Sequence, residues 1–161
     1  MRKVTSDMSI SIRELRAMLN GRVIAPEDAG YDEARTVYYG GIDRRPAVIV
    51  RPADASEVSL VVSLARETGV ELAVRSGGHS LAGHSVSDGG IVLDLSDMRA
   101  LHIDAARRTA WAETGLTAGA YTAAAAAHGL ATGFGSERPL DSAARLRENH
   151  ITRQSGTRVK R

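Results

Sequence analysis

The chain has 161 residues and a mass of 17.1 kDa, the size of one domain, and 43% of its residues are hydrophobic, enough to build a core. Cysteine is absent, which excludes a disulfide framework, a cysteine zinc site and a thiol nucleophile. The formal net charge is +2, yet residues 1–136 carry 14 basic and 16 acidic side chains while residues 137–161 carry 7 and 3, so the basic excess lies wholly in the tail.

The six aromatic residues (Tyr31, Tyr38, Tyr39, Trp111, Tyr121, Phe134) are not interleaved with the arginines as a stacking platform for single strands requires, so nucleic acid is not an expected partner. The longest apolar run, Ala123 to Ala127, is far too short for a bilayer, and Met1 to Ser11 lacks the apolar centre of a signal peptide. A soluble, cytoplasmic protein without a membrane partner is the expectation.

In chain order, Ser11-Ile-Arg-Glu14 has the form of a capping box, with Ile12, Leu15 and Leu19 on one stripe and Gly21 placed to end the helix. From Val23 to Pro46 the breakers Pro26, Gly30 and Gly40-Gly41 leave little periodicity, so residues 1–43 read as a short helix and an irregular arm outside the core. Ala47-Val-Ile-Val50 suits a strand buried on both faces. Asp54-Ala-Ser-Glu57 is a second capping box, followed by a stripe of Val58, Val61, Val62 and Ala65 that ends at Gly69. Val70 to Arg75 returns as a strand, which makes a β-α-β unit. Ser76 to Gly90 holds five glycines and no stripe, and reads as a loop. Ile91 to Leu95 is the next strand. Leu101 to Ile103 and Thr109 to Ala112 form a hairpin about Asp104-Ala-Ala-Arg107, and Thr117 caps a helix that runs to His128 and stops at Gly129. Trp111 and Tyr121 fall on apolar faces and are expected in the core. The tail, residues 137–161, shows no convincing strand or amphipathic stripe and reads as disordered.

The loop that leaves the strand through Ser76-Gly77-Gly78 has no Cβ at two positions, so its backbone can turn through positive φ and converge its N–H groups on an anion such as phosphate. The hydroxyls of Ser76, Ser80 and Ser85 are further donors. It lacks the Gly-Lys-Ser/Thr of a P-loop and has no helix after it, as a Rossmann turn does. His79, at the apex, admits other readings. With His84 and Asp88 it would make a metal site, although the spacing matches no helical metal motif. Gly78-His-Ser-Leu-Ala82 nearly matches the G-x-S-x-G elbow of an esterase with Ser80 as nucleophile, but lacks the last glycine and the helix that should follow. A non-catalytic remnant or partner-binding module is a third alternative.

Arg75-Ser-Gly-Gly-His-Ser80, followed by Gly83-His-Ser85, Asp88-Gly-Gly-Ile-Val-Leu-Asp-Leu-Ser96, Met98 and Gly129-Leu-Ala131, resembles the N-terminal half of the flavin domain of the FAD-linked oxidases. That domain is shared with vanillyl-alcohol oxidase and p-cresol methylhydroxylase, and the nearest group is the berberine-bridge-enzyme-like oxidoreductases. The match runs from about Arg44 to Gly135. The resemblance implies an α+β FAD-binding domain over residues 44–136, incomplete because the family continues through a further glycine-rich stretch and a substrate domain. It implies that Arg75, Ser76, Gly77, Gly78, His79, Ser80, Gly83, His84 and Ser85 hold FAD, with the pyrophosphate on the loop backbone and His79 joined to the 8α carbon of the isoalloxazine. It also implies oxidation of an alcohol, amine or sugar hydroxyl in full-length relatives, little activity in this chain alone, and association through apolar faces left uncovered. No second, cysteinyl link is possible here.

Overall fold

A computed structural model describes residues 11–133, 149–150 and 152–153. The chain folds as two compact units, Met1–Asp94 and Leu95–Arg161, with a boundary that falls inside the segment 44–136 read from sequence as one domain.

In the first unit, Ser11 starts α1 (Ile12–Met18) by accepting the Glu14 N–H on its hydroxyl at 3.3 Å. The helix ends at an extended Leu19, before Gly21 is reached. Gly21 is needed for another reason: a Cβ there would lie 2.2 Å from the Arg51 carbonyl oxygen, where only a glycine fits. The arm then joins the core, contrary to the sequence reading. β1 (Arg22–Ile24) pairs antiparallel with β2 (Val48–Arg51), and α2 (Tyr31–Arg35) buries Tyr31 and Ala34 in a cluster with Val37, Ile49, Ala73, Val86 and Val92. The Tyr31 hydroxyl donates to the Pro46 carbonyl at 2.6 Å, which satisfies its buried polar end.

Asp54 caps α3 (Ala55–Thr68) by accepting the N–H groups of Ser56 and Glu57, and Gly69 closes it at φ +68°. The box is not reciprocal. The Glu57 carboxylate turns away from the Asp54 N–H and accepts instead from Asn20, Gly21 and Ala53, stitching the arm to the helix. Val61 and Ala65 of the stripe are buried, whereas Val62 is exposed. β3 (Leu72–Arg75) and β4 (Ile91–Asp94) complete a sheet of order β1-β2-β4-β3, in which β4 runs parallel to both β2 and β3. β4 therefore lies between the two strands of the predicted β-α-β unit. Val48, Ile49, Val50, Ile91, Val92 and Leu93 are fully buried in these two central strands, each contributing on the order of 1.5–3 kcal/mol.

In the second unit, β5 (Leu101–Asp104) and β6 (Thr109–Ala112) form the predicted hairpin, with Arg108 in the turn at φ 56°. Thr117 caps α4 (Ala118–Ala127) on the Ala120 N–H, and β7 (Leu130–Ala131) follows. Ala110, Ala112, Leu116, Tyr121, Ala125 and Leu130 make this unit's core. Tyr121 is in it as expected. Trp111 is not: strand alternation turns Ala110 and Ala112 inward and leaves the indole 54% exposed. In the tail, β8 (Asn149–His150) pairs with β6 and β9 (Thr152–Arg153) with β7, which corrects the expectation of no strand there. The other tail residues lie outside the described ones. No helix among the described residues is long and apolar enough to cross a membrane.

Candidate functional site

The glycine loop begins where β3 ends, and the side chains around it fix its base. Arg75 and Asp94 are register partners on β3 and β4, both buried. Arg75 Nη2 lies 2.8 Å from Asp94 Oδ2, which also accepts from Arg51 Nε at 2.9 Å. The same guanidinium donates to the carbonyls of Ala34 and Thr36. Arg75, expected from sequence to bind cofactor, thus has its cation held by the protein, and the groups it leaves to a ligand are backbone.

The turn itself rests on Gly78. Its φ is +70°, a conformation that costs other L residues about 1–2 kcal/mol, and its carbonyl accepts the Tyr38 N–H at 3.3 Å. Among the described residues, the N–H groups of Gly77, Gly78 and Ser80 have no acceptor. Gly78 is buried and Gly77 and Ser80 are half-buried. His79 is half-buried beside them, with its ring centroid 4.6 Å from that of Tyr38.

Beyond His79 the loop closes on itself. The Ser80 hydroxyl accepts the His84 N–H at 3.1 Å and the Ser80 carbonyl accepts the Gly83 N–H. Arg44 Nη1 donates to the carbonyls of Gly83 and Val86, and Asp88 accepts the Arg45 N–H. Ser85 is buried and His84 is exposed. Of the nine residues singled out in the sequence, Arg75 ends β3 and the other eight lie in the loop that follows it, with Ser76 to Ser80 forming its first turn.

The esterase alternative finds no support here. Ser80 is followed by a turn and not by a helix, and its hydroxyl is engaged by the turn's own backbone. Among the described residues, no three His, Asp or Glu side chains could hold a metal ion together. Sequence reasoning did not place Tyr38, Arg44 or the Arg51–Asp94 pair at this loop, although Tyr38 and Asp94 stand out as polar candidates in the sequence; they reach the loop or its base from distant parts of the chain. The adjacent aromatics Tyr38-Tyr39 before Gly40-Gly41 were the one local signal. Their rings meet edge to face, with centroids 5.1 Å apart.

Residues 46–142 match the FAD binding domain family. The chain is 41% identical over 113 residues to (R)-6-hydroxynicotine oxidase of Paenarthrobacter nicotinovorans, covering 70% of this chain and 25% of that protein. It is 34% identical over 84 residues to berberine bridge enzyme-like 9 of Arabidopsis thaliana, covering 51% of this chain and 16% of that one. The crystal structure of 6-hydroxy-D-nicotine oxidase from Arthrobacter nicotinovorans superposes with a TM-score of 0.68 and 37% identity, over 81% of this chain and 27% of that one. The chain thus spans about a quarter of the length of the hydroxynicotine oxidases it matches, and none of their catalytic activity is carried over by the match alone. With its α+β fold and its glycine loop, the chain belongs to the FAD-binding domain family of the FAD-linked oxidoreductases, alongside the berberine-bridge-enzyme-like proteins.

Proposed function

We propose that this chain is the FAD-holding portion of a flavin-dependent oxidoreductase, with the pyrophosphate on the Ser76–Ser80 turn and His79 as the point of covalent attachment. The observation that carries this reading is the glycine turn itself: Gly78 at φ +70°, with the N–H groups of Gly77, Gly78 and Ser80 given no acceptor among the described residues, in consecutive positions around His79. A phosphate oxygen satisfies such donors without a lysine. The loop's base is rigid because the buried Arg75–Asp94 pair and the Arg44 bonds to Gly83 and Val86 fix both of its sides. A neutral imidazole nitrogen is a competent nucleophile near neutral pH, and the two glycines before His79 let the backbone approach a bulky ring. Joining the imidazole to the 8α carbon would be a two-electron oxidation in which the imidazole ring and the methyl group each give up one proton, with dioxygen taking the electron pair and the two protons.

When bound, the flavin supplies two-electron oxidation of an alcohol, amine or sugar hydroxyl. One relative is named as an oxidase of hydroxynicotine, which fits that class. We assign no residue of this chain as the proton acceptor for substrate.

The test is flavin fluorescence of the denatured chain on a gel after incubation with FAD in air. The wild-type band and a His84→Ala band fluoresce, and a His79→Ala band is dark. A dark wild-type band from natively folded protein overturns the covalent reading.

A further inference from the structure

The Tyr38 side chain is 67% exposed, yet it is not idle on the surface. Its ring lies 4.6 Å from the His79 ring at an interplanar angle of 48°, and Tyr39 meets its edge at 5.1 Å and 87°. Its backbone is tied to the same loop. The Tyr38 N–H donates to the Gly78 carbonyl, and a Cβ on Gly78 would stand 3.6 Å from Tyr38 N and from Val37 Cα. Two independent contacts, one through main chain and one through rings, thus bring residue 38 against residues 78 and 79 across a long stretch of sequence.

An imidazole is oriented by two side-chain torsions, and an aromatic ring packed against it restricts both. We infer that Tyr38 is a positioning residue for the attachment of FAD: its ring, and not its hydroxyl, holds the His79 imidazole in the orientation that forms the bond. The inference rests on the reading of His79 as the attachment point. Tyr39 supports Tyr38 from the side, so the two tyrosines form a short aromatic brace whose outer surface is solvent-facing.

The hydroxyl and the ring are separated by substitution. The rate of covalent flavin incorporation, followed by intact mass, is expected to be unchanged in Tyr38→Phe and to fall about threefold to tenfold in Tyr38→Leu, the size of one lost aromatic contact. The second readout needs no flavin. In the FAD-free protein the ring protons of His79 are expected to show a ring-current shift that persists in Tyr38→Phe and disappears in Tyr38→Leu, while the amide spectrum elsewhere is retained. An incorporation rate in Tyr38→Leu equal to wild type, or His79 ring protons indifferent to the loss of the aromatic ring, overturns the inference and leaves the attachment at His79 standing. A Tyr38→Phe variant as slow as Tyr38→Leu overturns it as well, because the hydroxyl would then be the active part. Absence of any adduct in the wild-type chain overturns the attachment reading and this inference with it.

Discussion

Asp94 holds the guanidinium of Arg75 at 2.8 Å in the buried space between the last residues of β4 and β3. Arg75 immediately precedes the first residue of the glycine loop, and the same Asp94 oxygen also takes Arg51 from β2. Three neighbouring strands are thereby pinned at the end where the loop leaves the sheet. Removing one partner of a buried ion pair strands the others, so Asp94→Asn is expected to cost about 3 kcal/mol in stability. Urea unfolding measures this, and a loss below about 1 kcal/mol would show that the cluster is not the loop's anchor.

Glu57 predicts an acid-sensitive junction. Burial pushes its carboxyl up, but the backbone N–H groups of Ala53, Asn20 and Gly21 outweigh that and hold it below the ordinary value of 4.5. The group is more acidic folded than unfolded, so its contribution is fully present above 4.5 and is lost as the pH falls through the lower folded value. Stability is therefore expected to drop as the pH is lowered below about 4.5. Glu57→Gln is expected to weaken the fold by about 2 kcal/mol near neutral pH and to flatten that part of the pH profile. Denaturant curves at several pH values read both effects, and parallel profiles for the two proteins would contradict the assignment.

Gly21 is expected to tolerate no side chain. A methyl there meets the Arg51 carbonyl oxygen at 2.2 Å and both Ala53 N and a Glu57 carboxylate oxygen at 2.9 Å. Backbone must move to admit it, so Gly21→Ala is expected to destabilise by roughly 2 kcal/mol or more, whereas Gly40→Ala, with open space around it, is expected to change stability by only a few tenths. Thermal melts of the two variants side by side test the contrast, and equal midpoints would refute it.

Trp111 is the single tryptophan, so the emission spectrum reports its surroundings alone. With the indole half in water on the outer face of the hairpin, native emission is expected near that of the unfolded chain and is expected to be strongly quenched by iodide. A blue-shifted emission resistant to iodide would place the side chain under cover.

The elements that the sequence shows plainly are those carried by local chemistry. Ser11, Asp54 and Thr117 cap the helices as their side chains suggest, and the β-branched run before Pro52 is a buried strand. What stayed hidden depends on partners far along the chain. β1 has three residues, too few to show alternation, and is a strand because β2 lies beside it. Tyr31, Ala34 and Val37 enter the core from a stretch without a stripe, since a five-residue helix is too short to display one. The two-residue strands β8 and β9 carry no pattern at all. Glu57 looked like a cap partner by spacing, but the arm offered its carboxylate three donors. The candidate site divides in the same way. Its loop is legible because glycines and a histidine stand in consecutive positions, while Tyr38, Arg44 and Asp94 act on it through space.

The central claim is that His79 carries FAD, and the most direct measurement is fragmentation mass spectrometry of the tryptic peptide from Ser76 to Arg99 after incubation of the chain with FAD in air. That peptide contains both histidines of the loop and no internal arginine or lysine. The account predicts one flavin on the peptide, with the added mass on the fragment that holds His79 and not on the fragment that begins at Ser80. A flavin on His84, or a natively folded chain whose peptide carries no added mass after full exposure to FAD, would contradict it.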